Sequence, residues 1–235
     1  NLAIGYDALG GAVAGGEYNV AIGNYSLDAL TSSDFNTAVG YRTGSAITTG
    51  DGNTLFGYEA GSAITGAGAY NVCLGTAAGS SITTGIRNTF VGQAGHSFDT
   101  ENDNLGIGHA ALGGNIAGGE YNIAIGNYTG QSLTSGDNNV FVGYLAGANT
   151  TSGGNATCVG FEAGKENTAH ELTAFGSKSA TNNTSGGGIT AIGREAYNAA
   201  DTENHNMAIG LNAMGGPVAG GEYNVAVGNY TLDAL

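Results

Sequence analysis

The chain has 235 residues, 45 of them glycine and only one proline (Pro217), with 41% apolar and 10% charged residues. Glycine at that level without a strict three-residue period excludes collagen, and the apolar content excludes a disordered chain. Nineteen acids against five bases give a net charge of -14, which repels phosphate backbones and anionic lipids; no apolar run reaches the ~18 residues of a spanning helix, so neither nucleic acid nor membrane insertion is expected.

From Asn1 onward one five-residue pattern returns fourteen times: Asn, an apolar or Thr residue, a usually small residue, a large apolar residue, Gly. Its closing glycines run from Gly5 and Gly23 to Gly210 and Gly228 at spacings of 16, 17 or 18 residues. A period in that range, held from end to end, marks a solenoid. The fold class expected is all-β: a single parallel β-solenoid over residues 1–235, a rod of roughly 65–70 Å at about 4.8 Å per coil.

Each motif reads as a short strand. Alternate side chains share a face, so positions two and four point together, and the invariably large fourth position (Ile4, Ile22, Val39, Phe56, Leu74, Val91) is expected in the core. The third position is mostly Ala or Cys, with Leu55, Phe90 and Phe141 as exceptions and Gly106 the smallest. That pattern reads as close approach of another backbone, across a flattened coil or from a neighbouring chain. The first position is Asn1, Asn19, Asn36, Asn53, Asn71, Asn88, Asn104, Asn122, Asn139, Asn206 and Asn224. Stacked coils would align these in a ladder of amide-to-amide hydrogen bonds, with Asn accepting the left-handed backbone of a corner. The closing Gly supplies the other corner, where positive φ is inexpensive without a Cβ.

Between motifs, a small residue (Ala8, Ser26, Thr43, Ala60, Ala78, Ala146, Ala163) precedes an apolar one (Val13, Leu30, Ile47, Ile64, Ile82, Phe98, Ile116, Leu133, Val218). This reads as a second strand, followed by turn strings such as Thr48-Thr49-Gly50-Asp51-Gly52. A longer period overlies the first. Gly15-Gly16-Glu17-Tyr18-Asn19 returns at Gly118 and at Gly220, defining super-repeats that start near 1, 104 and 206. The chain starts and stops on repeat units and reads as a segment of a longer array. From about Ala148 to His205 the pattern drifts: Ala156, Leu172 and Ile189 replace the ladder Asn, and polar runs replace the second apolar residue. This region is either a specialised patch for a ligand or partner, or a set of drifted coils on the same backbone.

The motif, as in Asn19-Val20-Ala21-Ile22-Gly23, resembles the head repeats of trimeric autotransporter adhesins, although this repeat is longer. Stretches such as Asn53-Thr54-Leu55-Phe56-Gly57-Tyr58-Glu59-Ala60-Gly61, preceded elsewhere by turns like Thr83-Thr84-Gly85, are more similar to repeats of bacteriophage tail fibres. Either resemblance implies an elongated homotrimer of left-handed β-rolls on a virion surface or in the extracellular space. It implies a structural fibre or adhesin shaft that recognises a host-surface glycan or protein; the alternative is a bacterial surface filament that stacks end to end.

Chemistry is sparse. His96, His109, His170 and His205 lack metal-ligand spacing and read as surface residues. Cys73 and Cys158 share the third motif position five coils apart, roughly 24 Å by the strand spacing, too far for a disulfide and more in keeping with small buried hydrophobes. Asp51, Asp103 and Asp137 precede ladder asparagines and are the calcium candidates. Glu17, Glu120 and Glu222 recur about 29 Å apart by the same rise, beyond any catalytic carboxylate pair, and no enzyme is expected. Tyr6, Tyr41, Tyr58 and Tyr144 directly follow closing glycines and are the candidate recognition residues, able either to stack on sugars or to pack against a sister chain.

Overall fold

The computed structural model describes residues 1–97, 99–114, 118–199, 202–217 and 220–233; Phe98, Ile116 and Val218 of the expected second element lie outside them. The protein is an all-β parallel β-solenoid, divided into two compact units, Asn1–Glu120 and Tyr121–Leu235. The first holds β1 (Leu2–Ile4), β2 (Val20–Ile22), β3 (Thr37–Val39), β4 (Thr54–Phe56), β5 (Val72–Leu74), β6 (Thr89–Val91) and β7 (Leu105–Ile107). The second holds β8 (Ile123–Ile125), β9 (Val140–Val142), β10 (Thr157–Val159), β11 (Leu172–Phe175), β12 (Ile189–Ile192), β13 (Met207–Ile209) and β14 (Val225–Val227). Within each unit every strand pairs in parallel with the next, and equivalent motif positions face one another, as in Ala21↔Ala38 and Cys158↔Ala174.

The expected second strand does not form among the described residues; a run of turns takes its place, so each coil carries one strand. Its residues are nevertheless core: Leu30, Ile47, Ile64, Ile82 and Leu133 are fully buried, as are Ser26, Thr43, Ala60, Ala78, Ala146 and Ala163, whereas Ala8 and Val13 are half-buried. The turn uses left-handed backbone at alternate residues, for example Tyr25 (φ 58°) and Leu27 (φ 50°), or Arg42 (φ 52°) and Gly44 (φ 61°). Such alternation cannot propagate a strand ladder.

A second correction concerns which strand face is inside. The third motif position is buried in thirteen strands from Ala21 to Ala226, and the large fourth position faces out, with Ile4 and Phe175 each 54% exposed. The physical reason is the width of the coil. The third residue points across the interior at the fourth residue past the closing glycine (the third in the Phe90 coil), and the two are never both large. Leu55, Cys73, Phe90, Phe141 and Cys158 oppose Gly61, Gly79, Gly95, Gly147 and Gly164, where an added Cβ would come within 2.5–2.8 Å of them. Ala21, Gly106, Ala191 and Ala208 lie in coils whose turn supplies Leu27, Leu112, Tyr197 and Met214, all fully buried. Gly106 pairs in register with Phe90, and a Cβ on it would stand 2.9 Å from that ring. The small third position thus reflects a thin interior. It is not the footprint of a neighbouring chain.

The asparagine ladder forms, with a different dominant bond from the one expected. Each Asn Oδ1 accepts the backbone N–H of the next coil's Asn: Asn36 to Asn19 (2.9 Å), Asn53 to Asn36 (2.9 Å), Asn71 to Asn53 (3.0 Å), Asn139 to Asn122 (3.1 Å) and Asn224 to Asn206 (2.8 Å). Most Nδ2 groups donate to a turn carbonyl of the following coil, as from Asn53 to Gly68 (3.0 Å) and Asn71 to Gly85 (2.9 Å); the amide-to-amide contacts, at 3.0–3.4 Å, are secondary. The left-handed corner is not at Asn but one residue earlier, at Tyr18, Phe35, Gly52, Tyr70, Arg87 and Asp103, all with φ between 57° and 67°. The closing glycines do hold positive φ, near 130–138° in most coils. A Cβ on Gly40 would meet the Gly57 carbonyl oxygen at 2.3 Å, so coils can stack only if this column has no side chains.

Asn53→Ala should therefore strand the buried Asn71 N–H and the Gly68 carbonyl, costing about 2–4 kcal/mol, read as a lower midpoint in thermal or urea unfolding followed by circular dichroism. Gly40→Ala should cost at least as much, because both φ and space forbid it; an unchanged midpoint would contradict the stacking geometry.

Candidate functional site

Because the third position and Asn face inward, the outward row of each coil is fixed by alternation: the residue before Asn, motif positions two and four, and the residue after the closing Gly. In the first unit these rows read Tyr18, Val20, Ile22, Asn24; then Phe35, Thr37, Val39, Tyr41; then Gly52, Thr54, Phe56, Tyr58. Nearly all exposed large apolar side chains lie on such rows, among them Leu2, Tyr18, Phe35, Phe56, Tyr70, Ile123, Phe175, Met207 and Val225. One apolar, aromatic strand face in each unit is thereby open.

Aromatic columns border it. Tyr6, Tyr41 and Tyr58 are 69%, 42% and 51% exposed, and the structure brings them into one column with Tyr25. Ring centroids are 5.4 Å apart for Tyr6–Tyr25, 6.0 Å for Tyr25–Tyr41 and 5.6 Å for Tyr41–Tyr58, the first two edge-on and the last stacked. Tyr144 stands in an equivalent column of the second unit, between Tyr128 (6.0 Å, edge-on) and Phe161 (5.8 Å, stacked). On the opposite border Tyr18 stacks on Phe35 at 5.3 Å, and His205 on Tyr223 at 5.1 Å.

Tyr25, Asp28, Tyr41 and Arg42 line a cleft of about 310 Å³ at the corner where strand gives way to turn. Reasoning on the sequence found Tyr41 and missed the other three. Tyr25 and Arg42 sit two residues past their glycines in left-handed backbone, which turns them round the corner. Asp28 keeps Oδ1 enclosed with no hydrogen-bond partner. Burial pushes its carboxyl above the ordinary range, with Asp7 adding to the effect while a local backbone hydrogen bond and Arg42 oppose it. Arg42 also reaches Glu59 at 3.7 Å.

Two of the calcium candidates are engaged by protein groups. Asp51 Oδ1 accepts the Asp34 N–H at 2.8 Å, and Asp103 is held bidentately by Arg87 at 2.6 and 2.7 Å, which also keeps its carboxyl below the ordinary range. Asp137 belongs to the second unit, and among the described residues no three His, Cys, Asp or Glu side chains form a group that could hold a metal ion. Two of the recurrent glutamates serve as coil ties: Asn102 Nδ2 donates to Glu120 at 2.7 Å and Asn204 Nδ2 to Glu222 at 2.9 Å. His109, His170 and His205 are exposed, whereas His96 is half-buried with its Nε2 enclosed. Cys73 and Cys158 are free and buried in separate units, and burial pushes each thiol up to about 12.

The drifted coils keep the backbone. β10, β11 and β12 pair in register, and Ala156, Leu172 and Ile189 are buried where Asn would stand. The displaced amides reappear inside the turn. Asn167 and Asn183 occupy the place of Leu133, with Asn183 Nδ2 donating to Asn167 Oδ1 at 2.8 Å. The exchange works because the two positions adjoin: at Gly85 an added Cβ would touch both Asn88 Nδ2 and Ile82. Tyr197 then returns the pattern to its original form, its hydroxyl accepting from Asn206 Nδ2 at 3.1 Å. Lys165, Lys178 and Arg194 pair with Glu162, Glu166 and Glu195 at 3.0–3.9 Å.

Fold and surface together define the class: a parallel β-solenoid repeat protein with a one-sided apolar face bordered by aromatic columns. Comparisons of the chain with protein-family models, with curated proteins and with solved structures gave no match.

Two outcomes test these environments. A raised carboxyl binds its proton more tightly in the fold, so stability falls as pH rises from the ordinary carboxylate value through the raised one. Asp28→Asn should therefore raise the melting temperature at pH 7, and the gain should vanish below the ordinary carboxylate range. Ellman's reagent should leave both thiols untouched in the native chain and titrate two per chain in denaturant.

Proposed function

We propose that the chain is a segment of a structural fibre or adhesin shaft, a phage tail fibre or similar virion-surface appendage, in which three copies associate through their open strand faces. The single observation that carries this reading is the outward fourth motif position. Burying Ile4, Phe56 or Phe175 inside a coil would satisfy a monomer, yet the fold holds them in solvent. Seven coils rising about 4.8 Å each and a face roughly 20 Å wide give on the order of 700 Å² per unit. That exceeds the few hundred Å² of contiguous apolar surface usual on a monomer and approaches the ~800 Å² that each partner contributes to a stable interface. The resemblance of the Asn-x-Ala-Ile-Gly motif to tail-fibre and autotransporter head repeats supports three as the number of copies. The aromatic columns, at the border of that face, remain for contact with a host surface. A bacterial extracellular adhesin or self-stacking surface filament uses the same construction and is the second reading.

Light scattering coupled to size exclusion measures the outcome. The chain mass is 23.1 kDa, and the expected particle contains three copies. Replacing Val39 and Leu74 together by Glu should convert it to a folded monomer, because both side chains lie on the outward row and contribute little to the coil interior. A wild-type monomer overturns the reading.

A further inference from the structure

The corner cleft differs from the strand face in shape and in chemistry. Tyr25 and Tyr41 present ring edges and faces nearly at right angles, 88° apart with centroids at 6.0 Å. Between them stand an acceptor, Asp28, and a donor, Arg42. The fold has no need of the acid: the same coil position is Gly10, Ser45, Ser62, Ser80 and Gln131 in other coils, and it is an acid again at Asp233, in the third super-repeat. Holding a carboxylate there, with one oxygen enclosed and unpaired, works against stability, and departures from local consistency of this kind concentrate at functional sites.

The super-repeat supplies an internal comparison. Tyr128 and Tyr144 of the second unit reproduce the ring geometry, at 6.0 Å and 89°. The residues corresponding to Asp28 and Arg42 are Gln131 and Leu145. A frame that repeats while its charged pair changes has the form of a site whose selectivity is set by that pair.

We propose that the cleft formed by Tyr25, Asp28, Tyr41 and Arg42 binds a single uncharged pyranose residue. The aromatic rings take the apolar C–H face of the sugar. Asp28 accepts hydrogen bonds from sugar hydroxyls and Arg42 donates to others, a pairing of charged acceptor and donor that suits vicinal hydroxyls. A cationic ligand would meet Arg42 and an anionic one Asp28, so neutral polyols fit best. The volume of about 310 Å³ lies at the small end of ligand pockets, which matches one ring with its neighbour in solvent. This inference deepens the recognition role in the proposed function and rests on that reading, but its test does not depend on the number of copies.

The full chain is titrated with the methyl glycosides of glucose, galactose, mannose and N-acetylglucosamine by saturation-transfer NMR and calorimetry. At least one should bind with millimolar affinity and one site per chain. Asp28→Ser, Arg42→Leu and Tyr41→Ala should each weaken it tenfold or more, and Gln131→Ser should leave it unchanged. Asp28→Ser must also keep or raise the melting temperature, since a merely structural Asp28 would lower it. Binding of none of the four glycosides, equal loss with Gln131→Ser, or preferred binding of tetramethylammonium or acetate would overturn the proposal. Light scattering on the same samples reads the oligomer separately, so a failed cleft and a failed fibre reading give different results.

Discussion

Each coil is too narrow for two large side chains to meet head-on, one from the third strand position and one from the turn residue opposite it. Phe141 fits because Gly147 yields the space, and Tyr197 fits because Ala191 does. That width follows from closing a coil with a single three-residue strand and a turn of alternating left-handed residues. Strand alternation then leaves no freedom for the remaining positions. Once the third residue points in, the second and fourth must point out, and the apolar face in solvent is a consequence of how the coil is closed. Interior and exterior are therefore two alphabets written on alternate residues.

The carboxamide column solves a different problem. Closing a coil at a left-handed residue turns the following N–H away from a regular ladder partner, and a buried N–H without an acceptor is costly. Asn supplies an oxygen to the N–H of the next coil and a nitrogen to its turn, so one side chain joins two coils at two points. Where Leu172 and Ile189 replace it, the strands lengthen to four residues and the amide moves into the turn as Asn167 and Asn183. Backbone and side chain share the task in different proportions in different coils.

Much of this was legible in the sequence. The 16–18-residue spacing fixed the solenoid class, the Gly column located one corner and the Asn column fell one residue past the other, and Leu30, Ile47 and Ile64 were recognisable as core. The inversion of the strand face was not legible. A row of large apolar residues reads as interior, and the reciprocity of Leu55 with Gly61, or Phe90 with Gly95, becomes visible only when the turn is folded across the strand. The cleft escaped for a related reason. Tyr25 and Asp28 come from one coil, Tyr41 and Arg42 from the next, and only the left-handed turn brings them to one corner. The partners of two calcium candidates are also ones that no motif shows: a backbone N–H for Asp51, an arginine for Asp103.

The exchange in the drifted coils bears on how such an array diverges. An Asn and an apolar residue that trade places must pass through a coil in which neither is right, and one such coil is present: Thr150 and Ala156 are small at both positions, with the Thr150 hydroxyl enclosed and unpaired. Interior substitutions are thus coupled in pairs and slow to accumulate, whereas outward residues such as Tyr41 or Thr76 can change singly with little effect on their coil. An array under this regime keeps its backbone nearly constant while its outer surface is rewritten coil by coil, at a pitch of about 4.8 Å.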